Sequence, residues 1–200
     1  MAKIKNIIPV TNFEKVRDRI GEIIVEELTE QLYMGVTGID PEFKVFVERF
    51  VPFDITELPA ISVSFANGDY SNYDSKSTDG DYTFNVDVYT ASDTEGDVPG
   101  DQSATFKLER LIGILRGILK SSHYLTLGFD RPSISNTKIS NIQIADPKNY
   151  KDAGSVMHGR IVFHVRVTED VELSTTFASN GFFTSWVLFG TNKGYQYFRY

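Results

Sequence analysis

The sequence predicts an α+β fold in two layers: an antiparallel sheet covered on one face by two amphipathic helices, with long loops and an aromatic C-terminal extension. Three observations carry that expectation. Residues 12–33 and 103–121 place apolar side chains at helical spacing. YTFNVDVY at 82–89 and RIVFHVRVT at 160–168 alternate apolar and polar residues with a period of two. Strands with one polar face belong to antiparallel sheets covered on one side only, and two helices with matching stripes supply the cover.

The first helix is announced by TNFE at 11–14, a capping-box pattern in which the Thr11 hydroxyl takes the third amide and Glu14 reaches back. Phe13, Val16, Ile20, Ile23, Ile24, Leu28 and Leu32 form its stripe, while Glu14, Arg17, Asp18, Glu22 and Glu26 fall mostly elsewhere. Gly35, Gly38 and Pro41 end it. Phe43, Val45 and Val47 then alternate with Lys44, Phe46 and Glu48 as a short strand or extended arm. Pro52 and Pro59 bracket a loop, after which Ile61, Val63 and Phe65 alternate with Ser62 and Ser64. NGDYSNYDSKSTDGD at 67–81 is rich in turn formers and is expected to be a hairpin loop or a disordered tip.

The strand at 82–89 follows, then an acidic linker, ASDTEGDVPGDQ at 91–102. Leu108, Leu111, Ile112, Leu115, Ile118 and Leu119 make the second helical stripe. Gly113 and Gly117 sit on its flank; close helix contact is one reading, and a tolerated weakness is the preferred one. Ile142 and Ile144 alternate with Asn141 and Gln143, DPKNYKDAG at 146–154 is a turn, and the strand at 160–168 closes the domain. The organisation read from this is a domain over 1–173 and an extension or arm over 174–200.

That extension differs in composition. It holds nine of the chain's 26 aromatics, namely Phe177, Phe182, Phe183, Trp186, Phe189, Tyr195, Tyr197, Phe198 and Tyr200. With Lys193 and Arg199 and no acid it carries +2, against −9 for the rest, which together give the net −7. It is either one more hairpin on the same core or an arm that buries its rings against another chain. Aromatic enrichment and depletion of Asp and Glu are marks of interface cores.

Two hundred residues suffice for one domain of ordinary size. A hydrophobic share of 41% and a charged share of 24% are those of a globular chain. No apolar run approaches the ~18 residues that span a bilayer. The stretch MAKIKNIIPV is too short in apolar residues for a signal peptide, so use without secretion is expected. The chain has zero cysteines, which excludes disulfides, zinc–thiolate sites, iron–sulfur clusters and thiol nucleophiles. The net charge argues against a binder that works by neutralising phosphates, though not against a surface past which nucleic acid slides.

The residues that could carry chemistry are few. His158 and His164 are six residues apart, roughly 20 Å along a strand, too far to share a metal. A site joining His123 to one of them is the weaker alternative to helix-end and sheet-face histidines. Asp69, Asp74, Asp79 and Asp81, then Asp93, Glu95, Asp97 and Asp101, lack the order of a calcium loop and are expected to be solvated loop charge. There is no nucleophile elbow, phosphate-cradling Gly-Lys-Ser/Thr or dinucleotide fingerprint. No catalytic, cofactor or metal residue is thereby selected, and neither an enzyme nor a cofactor is expected. Arg160 and Arg166 flank His164 on one strand face, and Asn85 and Asp87 share the polar face of the other strong strand. If the two strands are neighbours, Asp87 pairs with one of the arginines, a register device of about 0.2–1 kcal/mol.

The order of these elements resembles the tail terminator (tail completion) proteins of long-tailed bacteriophages. The residues that carry the likeness are the helix at 13–32, LPAISV at 58–63, the strand at 82–90, the helix at 106–120 and the strand at 160–172. The likeness covers most of 11–172 and lies in pattern and order rather than in an invariant motif; the aromatic tail lies outside it. It implies a structural virion protein forming a hexameric ring that caps the tail tube, stops tail polymerisation and offers a surface for head–tail joining. The implied partners are further copies of itself, the tail tube protein, the sheath protein in contractile tails and the head–tail connector or neck proteins. DNA passes through the lumen without specific binding, and the implied location is the virion, assembled in the host cytoplasm. Contacts are expected from the loop at 67–81 (Asp69, Tyr70, Tyr73, Asp74), the acidic linker (Asp97), the polar sheet face (Asp87, Arg160, Arg166) and the aromatic tail (Phe182, Phe183, Trp186, Phe189, Tyr195, Tyr197, Phe198). The alternatives left open are another neck, head-completion or tail-completion component, and a small-ligand binding α+β module.

Overall fold

Helix α1 (Asn12–Tyr33) begins and ends where its sequence signals stand. Glu14 reaches back to accept the Thr11 amide at 2.9 Å, and the Thr11 hydroxyl donates to the same carboxylate. At the other end the Gly35 and Val36 amides donate to the carbonyls of Leu32 and Gln31, a Schellman closure that needs the left-handed φ of +79° at Gly35. The computed structural model describes residues 11–49, 53–72, 77–93, 99–129, 133–145, 156–170 and 197–198. After α1 come β1 (Lys44–Val47), β2 (Ala60–Asn72), β3 (Ser77–Ala91), α2 (Gly100–Leu119), β4 (Ile134–Ala145), β5 (Val156–Asp170) and β6 (Tyr197–Phe198). The expected turn at 146–154 lies outside the described residues.

The sheet runs β4-β5-β3-β2-β1-β6, with both long alternating strands at its centre and the two-residue β6 at one edge. The fold is α+β, as the sequence predicts. The sheet is mixed rather than wholly antiparallel: β1 lies parallel to β2, with Val45 opposite Ile61 and Val47 opposite Val63. A parallel neighbour requires the chain to return to the starting end of the sheet between Val47 and Ala60.

Both helices pack on one face. Ile20, Ile23, Ile24 and Leu28 of α1 and Leu108, Leu111 and Leu115 of α2 form a single core with Ile61, Val63, Phe84, Val86, Ile161, Phe163 and Val165. Burying each such side chain contributes about 1.5–3 kcal/mol relative to exposure, so this layer is the main source of stability. Gly159 lets α2 approach β5: a Cβ there would stand 2.4 Å from Ile112 Cδ1. Gly113 and Gly117 meet no described atom within 4 Å of where a Cβ would be. They make no close contact among the described residues, in line with the preferred reading.

Two expectations need correction. The first is residues 67–81: β2 runs on to Asn72 and β3 starts at Ser77, where β3 also pairs with β5 as far as Asp170, so β2, β3 and β5 run on together as a long arm of the sheet, and residues 73–76 lie outside the described residues. Gly68 and Gly80 weaken a strand by themselves. Here the Tyr82 ring occupies the space that side chains at Gly68 and Gly80 would take, 3.1 and 2.9 Å from their ideal Cβ positions. An aromatic ring lying over glycines restores the packing that they forgo. Phe13, Phe65 and Tyr70 ring Tyr82, with centroids 6.5, 5.8 and 5.7 Å away. The second correction is the linker at 91–102, which stops at Pro99 because α2 begins at Gly100, with Asp101 in its first turn. An acid there suits the positive end of the helix dipole.

Candidate functional site

The helix-free face of the sheet is built from the odd-numbered residues of β3 and the even-numbered residues of β5. Strand pairing sets Asp87 opposite Arg160, Asn85 opposite Val162, Thr83 opposite His164, and Asp81 opposite Arg166. The expected pairing of Asp87 with one arginine is therefore shown, and the partner is Arg160. Its Nε donates to Asp87 Oδ1 at 2.6 Å and its second nitrogen to Oδ2 at 2.9 Å. His158 Nε2 lies 3.1 Å from the same Oδ1. Burial raises the Asp87 carboxyl, but the hydrogen bonds from His158 and Arg160 outweigh it, and the net displacement is below the ordinary value. The Asp87 hydrogen bond in turn raises the Arg160 guanidinium.

Arg166 takes a different acid. It pairs diagonally with Asp79 at 3.0 Å, and the Thr168 hydroxyl donates to the other Asp79 oxygen at 2.8 Å. The Thr168 hydrogen bond and then the Arg166 one hold the Asp79 carboxyl below its usual range. Asp79 was expected among solvated loop charges; it is instead a buried strand residue, because the arm continues the sheet past Tyr82. Asp81 stays half exposed, 3.5 Å from His164 Nδ1, and His164 Nε2 lies 2.8 Å from the Ser140 hydroxyl.

Sequence reasoning missed a second cluster, at the β1 end of this face. Phe46, Phe53, Tyr89 and His158 form a run of rings with successive centroids 5.1, 4.8 and 4.6 Å apart. Arg49 lies over Phe46 and Phe53 at 4.4 and 4.3 Å and holds Glu57 through two nitrogens at 3.2 and 2.7 Å. Cation–π contacts of a buried guanidinium contribute about 0.5–2 kcal/mol each. Ser62 and Ser64 are buried, and the Ser62 hydroxyl donates to the Arg49 carbonyl. The face is thus polar in sequence but partly roofed by the segment that returns from β1 to β2. The usable signal was the small size of Ser62 and Ser64 on a face that solvent would otherwise fill with longer polar chains.

The other expected contact residues divide cleanly. Asp69 and Tyr70 are exposed on the arm. Tyr73, Asp74, Asp97, Phe182, Phe183, Trp186, Phe189 and Tyr195 lie outside the described residues. Tyr197 and Phe198 form β6, whose backbone pairs antiparallel with β1 at Phe46 and Val45.

Chemically, both oxygens of each acid are engaged. Both Asp87 oxygens and both Asp79 oxygens are occupied by Arg, His or Thr groups of the chain itself. Such groups fix register and shape; they are not poised to take a proton from a substrate. No helix of the described residues is long and apolar enough to cross a membrane. In comparisons with known proteins, no protein-family model and no curated protein matches this chain.

Proposed function

We propose that the chain is a structural, ring-forming protein of a phage-like tail, a tail terminator that caps the tube and presents a surface for head–tail joining. The observation that carries this reading is the order and placement of the elements. An N-terminal helix and a second helix lie on one face of a sheet whose central strand is YTFNVDVY, with β2, β3 and β5 running on together as a long arm. This is the order on which the resemblance rests. The internal ion pairs of the other face support work done by shape instead of catalysis. In the reading proposed, copies repeat around an axis, ring closure ends tube growth, and an acidic lumen lets DNA pass without holding it. The aromatic residues at 174–200 clasp a neighbouring subunit, and the tube, the sheath if there is one, and neck proteins are the partners.

The test is genetic and visual. Deleting the coding sequence from the element that carries it is expected to yield tails of uncontrolled length and unjoined heads in electron micrographs of lysates. Normal, filled, infectious particles would remove the reading.

A further inference from the structure

On the side of the molecule away from β1, the C-terminal turn of α2 and the edge strand β4 enclose an open groove of about 400 Å³. Arg116, Lys120 and Lys138 line it together with Leu119, Leu125 and Ile139. The three cations are exposed, and none has a carboxylate partner among the described residues. In a chain of net charge −7 such a cluster of exposed cations beside apolar surface invites an acidic occupant.

The arm offers one. Asp69 and Asp81 stand directly opposite each other across β2 and β3, an arrangement that like charges disfavour. Among the described residues, the exposed Asp69 has Asn67 at 3.5 Å as its one side-chain partner, and the Asp81 carboxylate has His164, also at 3.5 Å. Among the described residues the arm also has an open backbone edge. β1 pairs with β2 only from Ala60 to Val63, and the Glu48 carboxylate accepts the Phe65 amide where β1 has ended. Beyond that point the outer edge of β2 has no strand partner among the described residues, and neither has that of β4 along the groove.

Resting on the ring reading, we propose that the arm of one copy, led by Asp69 and Asp81, docks in the Arg116–Lys120–Lys138 groove of the next copy. Arm and groove are different surfaces of one molecule, so the contact is heterologous and propagates from copy to copy, closing when the rotation allows.

Complementary charge reversal tests it. Asp69→Lys/Asp81→Lys and Lys120→Glu/Lys138→Glu alter exposed side chains, and circular dichroism checks that each variant folds. Measured by sedimentation velocity, each variant alone is expected to lose subunit affinity by about tenfold or more. An equimolar mixture of the two is expected to reassemble, because each arm then meets a groove of opposite charge. A wild-type assembly that both variants retain at full affinity would overturn this contact and leave the ring reading standing. A wild-type chain that is monomeric throughout would overturn both. Loss of duplex-DNA retention by the groove variant, with its native mass unchanged, would assign the groove to DNA and overturn the contact.

Discussion

Asp87 concentrates the residue-level account. It is buried, and it is held by Arg160 through two hydrogen bonds and by His158 through one. Asp87→Asn is expected to cost about 1–3 kcal/mol at neutral pH, the range for hydrogen bonds to charged groups. The folded-state carboxyl lies below its ordinary 3.8, so the unfolded chain takes up the proton first. The contribution is therefore whole above that ordinary value and is lost as pH falls through the depressed one. Urea unfolding of wild type and Asp87→Asn at neutral and at acid pH measures this: the gap between them should narrow on acidification, and a constant gap would contradict it. The pairing of Asp87 was legible in the sequence because alternation alone assigns faces. Which arginine it takes was not legible, since that depends on register between strands about seventy residues apart in the chain.

At the scale of elements, both helices were legible to within a few residues from their stripes, and in α1 the cap and the terminating glycine agree with the stripe. The arm was not. Its Gly, Asn, Asp and Ser content is that of a loop, and what makes it a strand pair is Tyr82 lying over glycines of both strands. Tyr82→Ala is expected to cost about 3–5 kcal/mol, as for other large aromatics emptied from a core. It should also speed hydrogen exchange of the arm amides more than those of β5 residues 156–162, which pair far from Tyr82; uniform acceleration would count against a local role. Gly159→Ala pushes a methyl against Ile112 Cδ1 and to within 3.4 Å of the Gln143 carbonyl. The clashing atom is the free end of the Ile112 side chain, so the expected cost is about 1 kcal/mol, the low end for overpacked cores, and Ile112→Val, which removes that Cδ1, should recover part of it in a double-mutant cycle.

For the whole molecule, composition and periodicity give the layers, while assembly is a property of surfaces that no single chain's alternation encodes. Deleting residues 174–200 leaves β1 its parallel partner β2 and should leave the domain folded, with thermal unfolding still cooperative. If the aromatic segment clasps a neighbour, the same deletion lowers the assembled mass; an undiminished assembly would remove that role. The central claim is that this chain is a unit repeated around an axis. Native mass measurement of the purified 22.6 kDa chain over a wide concentration range tests it most directly. The account predicts a discrete closed species of several copies, six in the reading proposed, and a chain that stays monomeric at every concentration would contradict it.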